Sequence, residues 1–145
     1  MMQRPFAILM LCALLFGPAQ GGRAEPADDG EAGAVWTAII PDAFSNYIYT
    51  WRMKGDGSYR EDGRDAARGK PIQPTLSGHW NREGPHMMLR QDDQPCLFDG
   101  IVLGNLYAGT LSFGGSARSR FCAIRGEAPP EHCAAAPSVA DARRG

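Results

Sequence analysis

The sequence predicts an all-β protein, a small antiparallel up-and-down β-barrel of about eight short strands, with a β-sandwich as the alternative. Three observations predict it. No stretch of 34–125 carries a helical apolar period. Short apolar or alternating runs recur there instead, the pattern of half-buried strands. Gly, Pro, Asp and Asn separate these runs closely enough for tight turns, as all-β barrels require.

The chain opens on a segment outside that domain. Arg4 precedes an eleven-residue apolar run, Phe6–Phe16, and Gly22-Arg23-Ala24 offers a small-x-small cleavage site. This reads as a secretory signal peptide over 1–24, with cleavage after Gly21 as the second choice. The run is shorter than the ~20 residues a membrane-spanning helix needs. Cys12 lies within it behind Met10-Leu11, which is not a lipid-attachment pattern, and is expected to leave with the signal. Removing Arg4 and Arg23 leaves 13 basic against 16 acidic residues, a net charge of −3. No clustered basic face suggests nucleic acid.

Residues 25–33 contain no apolar side chain larger than Ala, and 126–145 are rich in Ala and Pro. Both are expected to be flexible, since neither buries enough to offset ordering entropy. The barrel domain is then 34–125, about one modest core.

Strands are expected at 34–40, 46–54, 58–62, 72–80, 86–91, 97–103, 106–113 and 118–124. In the second, Tyr47, Tyr49, Trp51 and Met53 share a face. A three-residue loop, Gly55-Asp56-Gly57, sets Met53 opposite Tyr59 and Trp51 opposite Glu61, with Gly57 free to take positive φ. Asp56 then sits at the turn tip. Glu61, Asp62 and Asp65 sit ~15 Å away at the far end of the arm, so they do not share a cation with it. Arg60, Arg64 and Arg68 interleave with these acids, and the stretch reads as a solvated charged loop.

In the C-terminal half, turns at 92–95, 104–105 and 114–117 build a meander. One face collects Met87, Leu89, Phe98, Gly100, Val102, Tyr107, Gly109, Leu111, Phe113, Phe121 and Ala123, and should be the interior. The other collects Met88, Arg90, Asp99, Ile101, Ala108, Thr110, Ser112, Arg118, Arg120 and Cys122. Asp99 falls outside, near Thr110 and Arg120, as an exposed ion pair. Gly100 and Gly109 fall inside, where strands must bend.

Cys96, Cys122 and Cys133 remain after signal removal, an odd number in a chain expected to be exported. In this register Cys122 is level with Ala108 and Cys96 with Phe113, five residues along the strand. That is about 17 Å, beyond the ~7 Å that a disulfide spans. Cys122–Cys133 is therefore expected, with Cys96 a free, inward-leaning thiol. A Cys96–Cys133 bridge is the alternative.

Catalytic and cofactor motifs are absent from the sequence: no G-x-S-x-G, H-E-x-x-H, C-x-x-C or phosphate loop. His79 faces away from the apolar side of its strand, His86 begins a strand, and His132 adjoins Cys133 in the tail. His132 and Cys133 supply only two of the four ligands typical of zinc. No catalytic residue, cofactor or metal site is expected.

The rhythm "WRMKGDGSYRE", "SGHW", "NREGPHMMLRQ" and "FDGIVLGNLYAGTL" resembles the hairpins of small exported lipocalin-like, calycin-type β-barrel proteins of bacteria, over about 34–125. The resemblance implies an up-and-down barrel. One feature departs from it. A lipocalin carries G-x-W on its first strand, whereas here Gly33-Ala34-Val35-Trp36 is one residue longer and Gly78-His79-Trp80 lies mid-chain.

The expected function is an exported, periplasmic or secreted, non-catalytic binding protein of the cell envelope. It would hold a small apolar ligand or a protein partner. Tyr49, Trp51, Tyr59, Trp80, Phe98, Tyr107 and Phe121 are the candidate lining, against plain core packing for each. The alternative is a protein inhibitor or envelope assembly factor acting through loop 62–71 and the tails. A third reading is a small enzyme using the acids of 61–65 or Cys96.

Overall fold

The structure, a computed structural model, describes residues 30–115, 117–134 and 137–144. The expected signal peptide, 1–24, and residues 25–29 lie outside the described residues.

Eight strands form one closed barrel: β1 (Val35–Ile39), β2 (Tyr47–Met53), β3 (Ser58–Asp65), β4 (Leu76–Glu83), β5 (His86–Gln91), β6 (Cys96–Leu103), β7 (Leu106–Phe113) and β8 (Ala117–Arg125). Each strand pairs antiparallel with the next, and β8 returns to pair with β1 through Ala38 opposite Ala123. Closure removes the unpaired edges that an open sandwich would leave. A one-and-a-half-turn helix, α1 (Val139–Arg144), follows in the tail. Among the described residues no helix is long and apolar enough to cross a membrane.

The expected registers hold at the two places where they were derived. Met53 faces Tyr59 and Trp51 faces Glu61 across the β2–β3 turn. There Asp56 Oδ1 accepts from the Ser58 amide at 2.9 Å, and Gly57 takes φ of +84°. In the β6–β8 meander, Cys96 faces Phe113 and Ala108 faces Cys122.

Strand ends differ more. β4 begins at Leu76 rather than at residue 72, because Pro74 has no amide to donate to a ladder. It runs on to Glu83, where the positive-φ Gly84 lets the chain reverse into β5. β3 runs to Asp65, beyond the expected 62, because residues 63–65 still find partners on β2.

The interior is filled by aromatic rings. Trp51, Phe98, Tyr107 and Phe121 meet edge to face, with centroids 4.6 Å apart for Trp51–Phe98 and 4.9 Å for Tyr107–Phe121. The Tyr107 hydroxyl is satisfied by the Met87 and Phe98 carbonyls, at 3.1 and 3.2 Å. Interior glycines make room. A Cβ on Gly109 would lie 2.0 Å from the Asp99 carbonyl oxygen, and one on Gly78 would enter the Tyr59 ring. The two faces hold, but burial departs from them in places. Phe113, expected inside, is half exposed at the rim, where β7 ends. Cys122 and its cross-strand neighbour Ala108 keep to the outer face yet are buried, the tail being bonded over Cys122.

The terminal segments are more ordered than composition implies. In the segment expected to be flexible, Glu31 is fully buried, and the Gly33 amide donates to the Met53 carbonyl at 2.9 Å. Polar bonds hold it there, not apolar burial. In the tail, the Gly126 amide donates to Val35, and Cys133 forms the disulfide with Cys122 across a Cα separation of 5.6 Å. Ser138 caps α1, its amide donating to Asp141 Oδ2 at 2.9 Å.

Candidate functional site

The two ends of the barrel carry matching chemistry and opposite degrees of closure. Each holds a buried glutamate bonded to an indole of the core. They differ in what surrounds the carboxylate.

At the end where the β2–β3, β4–β5 and β6–β7 turns lie, Glu31 enters from the N-terminal side. The Trp36 indole N–H donates to Glu31 Oε2 at 2.8 Å. Glu31 Oε1 accepts from the Arg82 guanidinium and, at 2.9 Å, from Arg125. The Arg125 guanidinium also lies over the Trp36 ring, 4.5 Å from its centroid, a cation–π contact. One carboxylate thus meets two cations and an indole. The cluster closes this end.

The opposite end opens into a cavity of about 300 Å³. The loops after β1, β3 and β5 and the end of β7 border it, through Ile40, Gln73, Gln94 and Phe113. Phe98 and Leu111 supply apolar wall, Phe44 and the half-exposed Phe113 stand at the rim, and Glu61, Gln73 and Gln91 supply the polar wall. Glu61 is 1 % exposed. Its Oε2 accepts the Trp51 indole N–H at 2.7 Å. Its Oε1 accepts the side-chain amides of Gln73 at 3.0 Å and Gln91 at 2.9 Å. With Gln91 Nε2 engaged there, Gln91 Oε1 is buried without a hydrogen-bond partner.

Burial pushes the Glu61 carboxyl above its ordinary value. The three donors pull it back, and the like charge of Asp62 pushes it further up. Among the described residues no cation is found with the groups acting on it. Tyr49 and Cys96 share this wall. Burial and the nearness of Glu61 raise both, the Tyr49 phenol to about 12 and the Cys96 thiol to about 12. A thiol so raised stays protonated at neutral pH, whereas reactive cysteines sit in electropositive surroundings that lower it. Cys96 is free and buried, as expected.

Of the seven candidate lining residues, Tyr49 and Phe98 border the cavity. Trp51, Tyr107 and Phe121 form the packed rings beneath it. Tyr59 is fully buried over Gly78, its hydroxyl without a partner. Trp80 is buried toward the closed side, its indole donating to the Lys54 carbonyl at 3.1 Å.

The acids of 61–65 do not act as one cluster. Glu61 points inward, contrary to its reading as part of a solvated loop. Asp62 accepts from Thr75 Oγ1 at 2.6 Å, and Asp65 accepts the amides of Ala67 and Arg68 at 2.9 Å in the turn that follows. Asp99 is exposed, as expected, but its partner is His86 on β5, while Arg120 pairs with Asp42 at 3.0 Å. Among the described residues no group of three or more His, Cys, Asp or Glu is placed to hold a metal.

Comparison of the chain with protein-family models, curated proteins and solved structures returns no match.

Proposed function

We propose that this is an exported, non-catalytic binding protein whose barrel mouth takes a small ligand. The observation that carries the reading is the asymmetry of the ends. One is closed by a charge-compensated cluster, and the other opens onto a cavity with an apolar wall and a few convergent polar groups. That combination is the usual composition of small-molecule sites, and about 300 Å³ sits at the small end of their ~300–1,000 Å³ range. Export is supported by the N-terminal apolar run and by the Cys122–Cys133 disulfide, a bond that persists in oxidising compartments. The lipocalin-like hairpin rhythm agrees with this reading. The raised Cys96 thiol argues for binding over nucleophilic chemistry.

The test is the mass of the protein recovered from the envelope of its own host, measured under native and then denaturing conditions. Extra native mass that denaturation removes is the expected result. Leu76 also lines the cavity, and a Leu76→Trp variant, which fills the mouth, should lack it. Identical native and denatured masses, together with no response of the mouth residues to any small molecule in a broad NMR screen, would sink the reading.

A further inference from the structure

Among the described residues the mouth has acceptors to offer and nothing to neutralise them. Glu61 is buried beneath the cavity with three neutral donors and, among the described residues, no cation; the charge that acts on it, Asp62, has the same sign. Gln91 Oε1, on a side chain buried to 7 % exposure, is a second acceptor on the cavity wall, and it has no hydrogen-bond partner. Its orientation follows from the network, since Gln91 Nε2 already donates to Glu61. A buried acceptor left unpaired is destabilising, and an uncompensated buried charge is more so.

The closed end of the same barrel shows what completes such an arrangement. There an equally buried glutamate, also bonded to an indole, has two guanidinium groups on its second oxygen. At the open end the corresponding oxygen has two glutamine amides, which bring donors without charge. The missing element at the mouth is a cation with several N–H donors.

We propose that the mouth binds a small amphipathic ammonium, its N–H donors on Glu61 and Gln91 Oε1 and its apolar body against Phe98, Leu111 and Phe113. This rests on the reading of the mouth as the binding site and names the class of ligand that site takes. An alcohol could use one acceptor but would leave the carboxylate uncompensated. A carboxylic acid would set like charges together. Neither matches the site as an ammonium does.

The experiment titrates the full, disulfide-bonded protein with three probes of one body and different heads: phenethylamine, 2-phenylethanol and phenylacetate. Binding is followed at neutral pH by amide shifts of mouth residues in the wild type, E61Q and Leu76→Trp. The expected result is that phenethylamine binds at least tenfold more tightly than the alcohol, and phenylacetate more weakly still. E61Q should lose that tenfold preference while Leu76→Trp loses binding of every probe. Equal affinity for amine and alcohol, or an amine preference that survives in E61Q, would overturn the ammonium assignment and leave the mouth reading standing. No shift at mouth residues with any probe would overturn both. Should E61Q fail to fold, the ranking of the three heads on the wild type still decides.

Discussion

At the scale of single residues, the two buried glutamates make opposite predictions. Glu61 has its carboxyl raised by burial above an ordinary value of 4.5. Below that pH the acid is protonated in both folded and unfolded chains and costs nothing. As pH rises past 4.5 the unfolded chain ionises first, so stability is lost until the folded carboxyl also ionises, and the loss then levels off. Glu61→Gln removes this slope, and flipping the Gln73 and Gln91 amides keeps its hydrogen bonds. Urea unfolding of wild type and variant from pH 4 to 8 should show the variant gaining relative stability with rising pH. Parallel curves would refute the sign. Glu31 behaves differently, because its charge is met by Arg82 and Arg125. Glu31→Ala leaves two partly buried guanidinium groups facing one another and should cost about 3 kcal/mol, near the lower end for broken buried pairs because both arginines keep some exposure. A loss below ~1 kcal/mol in the same unfolding experiment would show that the cluster does not hold the closed end.

At the scale of elements, strand alternation proves more reliable than local charge. Turn length and the Tyr47–Met53 alternation made the β2–β3 register legible, and that register already put Glu61 opposite the inward Trp51. The surrounding acids and arginines pointed instead to a solvated loop. Alternation wins because one residue cannot leave its face without slipping the whole strand. The Glu61 position in the site could therefore be found from sequence. Glu31 could not, since its guanidinium partners lie 51 and 94 residues away, and no local period marks it. The extent of the cavity was also hidden. Pattern shows that Tyr49, Trp51 and Phe98 point inward, but only ring sizes and their edge-to-face contacts decide where the interior is full. Interior glycines belong to this scale as well. Gly100 and Gly109 face one another across β6 and β7, and a Cβ on either would meet the neighbouring backbone at 2.3 or 2.0 Å. Backbone, unlike a flexible side-chain tip, has nowhere to go. Gly109→Ala should therefore cost about 3 kcal/mol by overpacking, read as a lower midpoint in thermal unfolding. A neutral result would mean that the two strands separate more easily than their pairing suggests.

At the scale of the whole molecule, the question is what the disulfide contributes to a barrel that closes without it. Closure is made by β1 on β8, through four residue pairs from Trp36 opposite Arg125 to Ile39 opposite Cys122. The bridge ties Cys122 on β8 to Cys133, eleven residues on, and so fixes the tail against the outer wall and not strand to strand. A loop this short is worth roughly 3 kcal/mol or slightly less when its entropy is removed from the unfolded chain. The core rings, the Glu31 cluster and the Glu61 network all lie elsewhere in the barrel. Replacing both cysteines, Cys122→Ala with Cys133→Ala, should therefore lower stability by about 2–3 kcal/mol while the barrel still closes. Two readouts separate the effects. Denaturant unfolding should shift by that amount, and amide exchange should rise across 127–134 while β1 and β8 stay protected. Exchange that rises equally along β1 would mean that the bridge helps close the barrel, and the tail would then count as part of its wall.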